Sequence, residues 1–272
     1  QRSTNGGGNW TDISINTTES APWVTPWCQD PNTANTLYAG YENVWRSTNS
    51  GTSWTNISSS ANMGTPNVKY IAIAKTSSNT IYACKTNKIW RTTNGGTAWT
   101  NITGSLPVSS ASLTSICIDP TDANHVYVTL SGYSNNNKVY VTTNGGTSWT
   151  NYSTGLPNIP ANIICYQTGS ADGVYVGMDA GVYYRDNTMS SWIAFNTGLT
   201  NAPVVDLEIF YPTSKLRAAT FGRGLWESDT YTPGGNPPVA AFTATPTSGC
   251  SPLTVQFTDA SSFNPTSWNW TF

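Results

Sequence analysis

Apolar runs of strand length alternate with polar turns over the first 231 residues, and no stretch carries helical periodicity. One order recurs. An apolar run leads into a turn, as in "SICIDPTDANH", "VKYIAIAKTSSN" and "VVDLEIFYPTSK". A short strand follows: "TLYAG", "TIYACK", "HVYVTL", "GVYVGM" or "LRAAT". A third comes next: "NVWRS", "KIWRT", "KVYVT", "GVYYR" or "GLWES". A Gly-rich turn then opens a fourth, "SWTNIS" or its equivalent. Runs of this length bounded by Gly and Asn read as antiparallel strands. Complete units span residues 22–58, 65–103, 110–153 and 160–197, and a unit over 203–231 has three strands.

The turn itself is repeated: "RSTNGGGNWTDIS", "RSTNSGTSWTNIS", "RTTNGGTAWTNIT" and "TTNGGTSWTNYS". Trp10, Trp54, Trp99 and Trp149 close these copies, roughly 45 residues apart, a period typical of propeller blades. A degenerate copy, "YYRDNTMSSW", ends at Trp192. Four strands per unit is one blade. The expected fold class is therefore all-β: a propeller of four-stranded blades over residues 1–231, then a second module. Residues 2–15 supply the turn and fourth strand that the last unit lacks. The expected ring has five blades closed by that N-terminal strand, which removes exposed sheet edges. The competing arrangement is a portion of a larger propeller.

The four turns resemble the Asp-box motif, Ser/Thr-x-Asp-x-Gly-x-x-Trp. The matching residues are Ser3, Asn5, Gly7 and Trp10; Ser47, Asn49, Gly51 and Trp54; Thr92, Asn94, Gly96 and Trp99; and Thr142, Asn144, Gly146 and Trp149. All four carry Asn where the motif has Asp. The resemblance is to the Asp-box (BNR, sortilin-like) propellers, which include sialidases, xyloglucanases and photosystem assembly factors. It implies a fold and no particular activity. Asn folds back onto backbone amides, and Gly supplies positive φ. Trp buries a large apolar area beneath the turn. These residues are expected to act as a scaffold rather than a ligand site.

Residues 232–238, "TPGGNPP", read as a Pro/Gly linker. Residues 239–272 resemble the N-terminal part of a PKD domain, an immunoglobulin-like module, through Pro252-Leu253-Thr254-Val255-Gln256-Phe257 and Trp268-Asn269-Trp270-Thr271-Phe272. Half a β-sandwich leaves an open edge and an unfilled core. Clipping, an unseen remainder, or strands supplied by a partner chain each account for it.

Composition narrows the function. Charged residues make up 10% of the chain, against roughly 25% in an average soluble protein. Aromatics make up 12%, including twelve Trp. A neutral surface rich in amides and hydroxyls suits an extracellular, secreted or cell-surface protein. The net charge of −2 and the lack of a basic run exclude a nucleic-acid footprint. No apolar stretch reaches a membrane span. Of the five cysteines, Cys28, Cys84, Cys117, Cys165 and Cys250, none forms a Cys-x-x-Cys pair, and His125 is the single histidine. No metal site and no cofactor are expected. Cys84, Cys117 and Cys165 lie in strand-like runs and read as buried hydrophobes, with a disulfide between neighbouring strands as the other reading. His125, beside a turn, reads as a surface residue.

Candidate chemistry is sparse. A sialidase-type site needs converging arginines, yet Arg2, Arg46 and Arg91 each stand directly before a box. A glycoside hydrolase needs two carboxyl groups facing one cleft. Asp30 and Asp119 fall in Asp-Pro turns and read as turn formers. That leaves Asp179, after a strand, and Asp206 with Glu208, alternating in "VVDLEIF" and able to share a face. Asn9, Asn16, Asn56, Asn101, Asn151 and Asn269 begin Asn-x-Ser/Thr sequons. The expected function is a non-catalytic extracellular scaffold for assembly or adhesion, with protein partners, and glycans as further ones. It extends to a filament protomer joined by strand addition. The alternative is a carbohydrate-active module, enzymatic or sugar-binding.

Overall fold

A computed structural model describes residues 1–61, 63–233, 240–261 and 268–271. The chain divides into two compact units, Gln1–Ser228 and Asp229–Phe272. Of the linker read over residues 232–238, positions 234–238 lie outside the described residues, as do Val239, 262–267 and Phe272 of the second module.

The first unit contains four four-stranded antiparallel sheets and one of three strands, each in simple sequence order. The first sheet holds β1 (Trp27–Gln29), β2 (Leu37–Gly40), β3 (Val44–Ser47) and β4 (Thr55–Asn56). The second holds β5 (Tyr70–Ala74), β6 (Ser77–Cys84), β7 (Ile89–Thr92) and β8 (Thr100–Asn101). The third holds β9 (Leu113–Ile118), β10 (Val126–Leu130), β11 (Val139–Thr142) and β12 (Thr150–Asn151). The fourth holds β13 (Ala161–Tyr166), β14 (Val174–Met178), β15 (Gly181–Arg185) and β16 (Ile193–Ala194). The last holds β17 (Val204–Phe210), β18 (Lys215–Thr220) and β19 (Gly224–Asp229).

Packing between sheets orders them radially. The first strands touch one another in series (β1 with β5, β5 with β9, β9 with β13, β13 with β17), so they line the inner side of the array. Second strands lie between two neighbouring sheets, and β10 and β14 are buried at every position. That burial on both faces explains their Val- and Tyr-rich sequences, which β-propensity also favours. The core is accordingly interleaved. Tyr38, Val44, Met63, Val68 and Ile81 join the first two sheets. Tyr82, Ile89, Leu113, Val128 and Trp149 join the second and third. Val139, Ile164, Val176 and Trp192 join the third and fourth. Each such side chain contributes roughly 1.5–3 kcal/mol on burial.

Among the described residues no ladder joins β19 to residues 2–15. The main chain of residues 2–15 pairs with itself through one bridge, Arg2 with Thr11. That bridge has the register of Arg46 with Thr55 and Arg91 with Thr100. The N-terminal segment thus brings its own third-strand residue to the place β19 would have to take. It docks instead on the first sheet, where Arg2 Nη1 donates to Ser50 O at 2.9 Å and Trp54 Nε1 donates to Ile13 O at 2.8 Å. All six residues of β19 are exposed.

The second unit contains a two-stranded antiparallel sheet, β20 (Phe242–Thr245) with β21 (Gln256–Asp259). Phe242, Phe257 and Trp270 pack as a tilted aromatic trio, with centroids 5.6–6.1 Å apart.

Candidate functional site

The repeated turn is a hydrogen-bonded loop with one design. In the second copy, Ser47 Oγ accepts the Gly51 N–H at 2.8 Å and donates to Asn49 Oδ1 at 2.9 Å. Asn49 Oδ1 also accepts the Ser53 N–H at 2.9 Å. Thr92 with Asn94, and Thr142 with Asn144, repeat these bonds, as does Ser3 with Asn5. The motif glycine is required at Gly96: its φ is +97°, and a Cβ there would meet the Ile57 carbonyl at 2.7 Å.

The second, third and fourth turns also grip the segment before them. Trp99 Nε1 donates to Ile57 O, and Trp149 Nε1 to Ile102 O, both at 2.8 Å. Arg46 Nη1 reaches forward to Gly95 O, and Arg91 Nη1 to Gly145 O, both at 3.3 Å. Indole and guanidinium therefore staple consecutive blades, a role the motif alone did not reveal. The copies are unequal: Trp149 is 8% exposed and Trp10 is 61% exposed.

The three candidate acids are not gathered in one cleft. Asp179 lines a hollow of about 400 Å³ with Tyr70, Thr114, Asn162, Val205 and Phe221, which draws on the inner strands of four sheets. Asn162 Nδ2 donates to Asp179 Oδ1 at 2.9 Å. Asp206 and Glu208 share the exposed face of β17, as alternation predicts, but this hollow is lined by Val205 instead. A second hollow, about 560 Å³, lies beside the first sheet, lined by Arg2, Trp27, Gln29, Asn35, Tyr41 and Trp54 among others.

A polar cluster joins the third and fourth sheets. Asp119 is a turn former: its Oδ1 accepts the N–H and hydroxyl of Thr121 at 2.7 Å. Its Oδ2 meets His125 Nδ1 at 3.2 Å and the Tyr166 hydroxyl at 3.1 Å. That hydroxyl also lies 2.7 Å from Asp172 Oδ1, and Asn187 Nδ2 donates to Asp172 Oδ2. Burial raises the Asp119 carboxyl, but the bonds from Thr121, Tyr166 and His125 outweigh it and hold the group below its ordinary value. Burial and the two carboxylates push the Tyr166 phenol far up. His125 is not the surface residue expected. Its side chain is 13% exposed, folded onto Asp119 and packed 4.9 Å from the Tyr127 ring. Asp119, His125 and Asp172 bring ligand-type atoms within 4.8 Å of one another. In this arrangement the Tyr166 hydroxyl sits between the two carboxylates, where a bound cation would have to lie.

All five thiols are free. Cys84 is buried, Cys28, Cys117 and Cys165 are half-buried, and Cys250 is exposed. Among the sequons, Asn9, Asn16, Asn101, Asn151 and Asn269 are exposed, while Asn56 is half-buried and donates to Glu19 Oε1. Among the described residues no helix is long and apolar enough to cross a membrane.

Comparison with known proteins bears on the fold. The family model Sortilin-Vps10 (sortilin, neurotensin receptor 3) matches residues 42–200. No curated protein sequence matches the chain. Among solved structures, an ancestral GH74 enzyme superposes with a TM-score of 0.59 at 24% identity, over 75% of this chain and 28% of that one. The GH74 xyloglucanase from Xanthomonas campestris gives 0.60 at 15% identity, over 75% of this chain and 36% of that one. YCF48 from Cyanidioschyzon merolae gives 0.56 at 14% identity, over 82% of this chain and 71% of that one. The chain therefore spans little more than a third, or less, of the GH74 proteins it resembles. These likenesses establish a β-propeller.

Proposed function

The chain belongs to the Sortilin-Vps10 family, and on that premise we propose that it is a non-catalytic extracellular scaffold that assembles with other chains by strand addition. The observation that carries this reading is the second unit, whose described sheet has two strands, β20 and β21. A two-stranded sheet is marginal in water by itself. Phe242 is 60% exposed on it and packs against Trp270, and Trp268 is exposed as well. Added strands would cover these rings and satisfy the open main-chain edges. A module of the PKD type completed in this way fits the resemblance in residues 239–272. The neutral, sequon-bearing surface suits a position outside the cell. The test is sedimentation velocity and negative-stain microscopy of the 272-residue chain. Concentration-dependent assemblies are expected, and Thr258→Pro in β21 should abolish them. A monodisperse monomer at every concentration sinks the idea.

One observation favours a second reading, a sugar-binding propeller. The hollow beside the first sheet combines Trp27, Trp54 and Tyr41 with Arg2, Gln29 and Asn35. Aromatic faces with a few polar groups suit a neutral saccharide. The X. campestris neighbour is a xyloglucanase. Titration with xyloglucan oligosaccharides should produce a shift that Trp27→Ala removes, and a flat titration discards this reading.

A further inference from the structure

The inner strands of the third, fourth and fifth sheets share an irregularity at one position. Leu113 pairs with Leu130 and Ser115 with Thr129, so Thr114 is left without a cross-strand partner. Ala161 pairs with Met178 and Ile163 with Gly177, which leaves out Asn162. Val204 pairs with Thr220 and Asp206 with Ala219, which leaves out Val205. An extra residue of this kind is a β-bulge, which bends the strand and re-aims a side chain. All three extra residues line the hollow of about 400 Å³.

Two more of its lining residues come from another repeated position, the one directly after the second strand: Asp179 after β14 and Phe221 after β18. Main-chain bonds fix both. The Asp179 N–H donates to Pro160 O at 3.2 Å, and the Phe221 N–H to Pro203 O at 2.8 Å. The corresponding residues of the first three sheets are Tyr41, Lys85 and Ser131. Here the backbone repeats and the side chains differ, the reverse of the box, where the side chains recur. A position that the scaffold does not dictate is open to dictation by a ligand.

The fixed polar groups of the hollow are set to accept. The Asn162 amide uses both of its hydrogens inside the fold, on Asp179 Oδ1 at 2.9 Å and on Val204 O at 3.2 Å. Thr114 Oγ1 lies 2.6 Å from Ala161 O and 2.8 Å from Thr129 Oγ1, so its hydrogen is engaged as well. Among the described residues Asn162 Oδ1 and Asp179 Oδ2 accept no hydrogen bond. Asp179 is the single charged side chain in the lining, which is completed by Pro203, Val205 and the rings of Tyr70 and Phe221.

We propose that this hollow is a binding site for a small primary ammonium ion attached to an apolar body. An ammonium has three N–H donors and no acceptor, which matches Asp179 Oδ2 and Asn162 Oδ1. Its charge pairs with Asp179, and aromatic faces such as those of Tyr70 and Phe221 attract a cation. Its hydrocarbon part lies against Pro203 and Val205. A mostly apolar hollow with a few fixed polar groups is the usual form of a small-molecule site. An anion is repelled by Asp179, and a neutral alcohol leaves that charge unpaired. The site shares no lining residue with the hollow beside the first sheet, and it does not depend on strand addition in the second unit.

The test is isothermal titration calorimetry of the 272-residue chain with 2-phenylethylammonium chloride at neutral pH. Saturable binding is expected, and 2-phenylethanol, the neutral analogue of the same shape, should bind at least about tenfold more weakly, the factor that corresponds to about 1.4 kcal/mol. Asp179→Asn keeps an acceptor for Asn162 and removes the charge. It should weaken the ammonium at least about tenfold and leave the alcohol unchanged. Phe221→Ala should weaken both. A flat titration overturns the proposal, and so does equal affinity for the ammonium and the alcohol. An Asp179→Asn chain that remains folded and binds the ammonium as tightly as before overturns it too.

Discussion

Trp10 and Trp149 hold the same place in the repeated turn, yet the structure gives them unequal work. Trp149 is 8% exposed and its indole donates to Ile102 O, while Trp10 is 61% exposed. Trp149→Ala should therefore cost about 3–5 kcal/mol, and Trp149→Phe, which keeps most of the ring and loses the N–H, about 1–3 kcal/mol. Trp10→Phe should stay within about 0.5 kcal/mol. Urea unfolding of the three variants measures this, and equal losses at positions 10 and 149 would refute the account. The residue types of the turn were legible because Asn, Gly and Trp each answer a local demand. Their partners were not. Ile57 O and Ile102 O belong to the preceding blade, and Gly95 O and Gly145 O to the blade that Arg46 and Arg91 face. No local pattern announces a contact more than 40 residues away. His125 was misread for the same reason: a turn position suggests solvent, but Asp119 and Tyr127 enclose it.

Strands were the most legible elements, since alternation and turn chemistry are local. Alternation also placed Asp206 and Glu208 on one face of β17. It did not place Asp179, which lies in the turn after β14 and meets Asn162 rather than that pair. A count of strands does not fix how the ring closes, because it ignores register. Arg2 opposite Thr11 already fills the third-strand place beside the first box. Between the third and fourth sheets, one phenol serves two carboxylates. Tyr166→Phe removes the hydroxyl lying between Asp119 and Asp172, while Asp119 keeps Thr121 and His125 and Asp172 keeps Asn187, at a cost of about 1–3 kcal/mol. The same change at Tyr133, 69% exposed, should be neutral, so a matched pair of denaturation curves separates the cluster from a general loss of a hydroxyl.

Across the whole molecule, burial of neutral titratable groups sets the alkaline limit of the fold. Burial pushes the Cys28 and Cys165 thiols up to about 12, from an ordinary value of 9.0. It pushes the Tyr38 and Tyr82 phenols up to about 12, from 10.0. Cys84, Cys117 and Tyr127 move in the same direction for the same cause. Between the two values the unfolded chain has released protons that the folded chain retains, so stability falls as pH rises from about 9 toward 12. Lys85 opposes this. Its ammonium is enclosed, donating to the carbonyls of Glu42 and Gly64, and burial pulls it down to about 8, from 10.5. The unfolded chain then binds the extra proton between these values, so this group makes stability rise over that window. Burial pulls Lys138 down as well, so two lysines act against at least seven thiols and phenols. The urea midpoint should therefore rise slightly from pH 8 to 9 and then fall steeply. Lys85→Met should reduce the small rise and leave the fall intact. A midpoint that holds steady from pH 9 to 12 would mean that those thiols and phenols ionise as freely in the folded chain as in the unfolded one, contrary to the interleaved core.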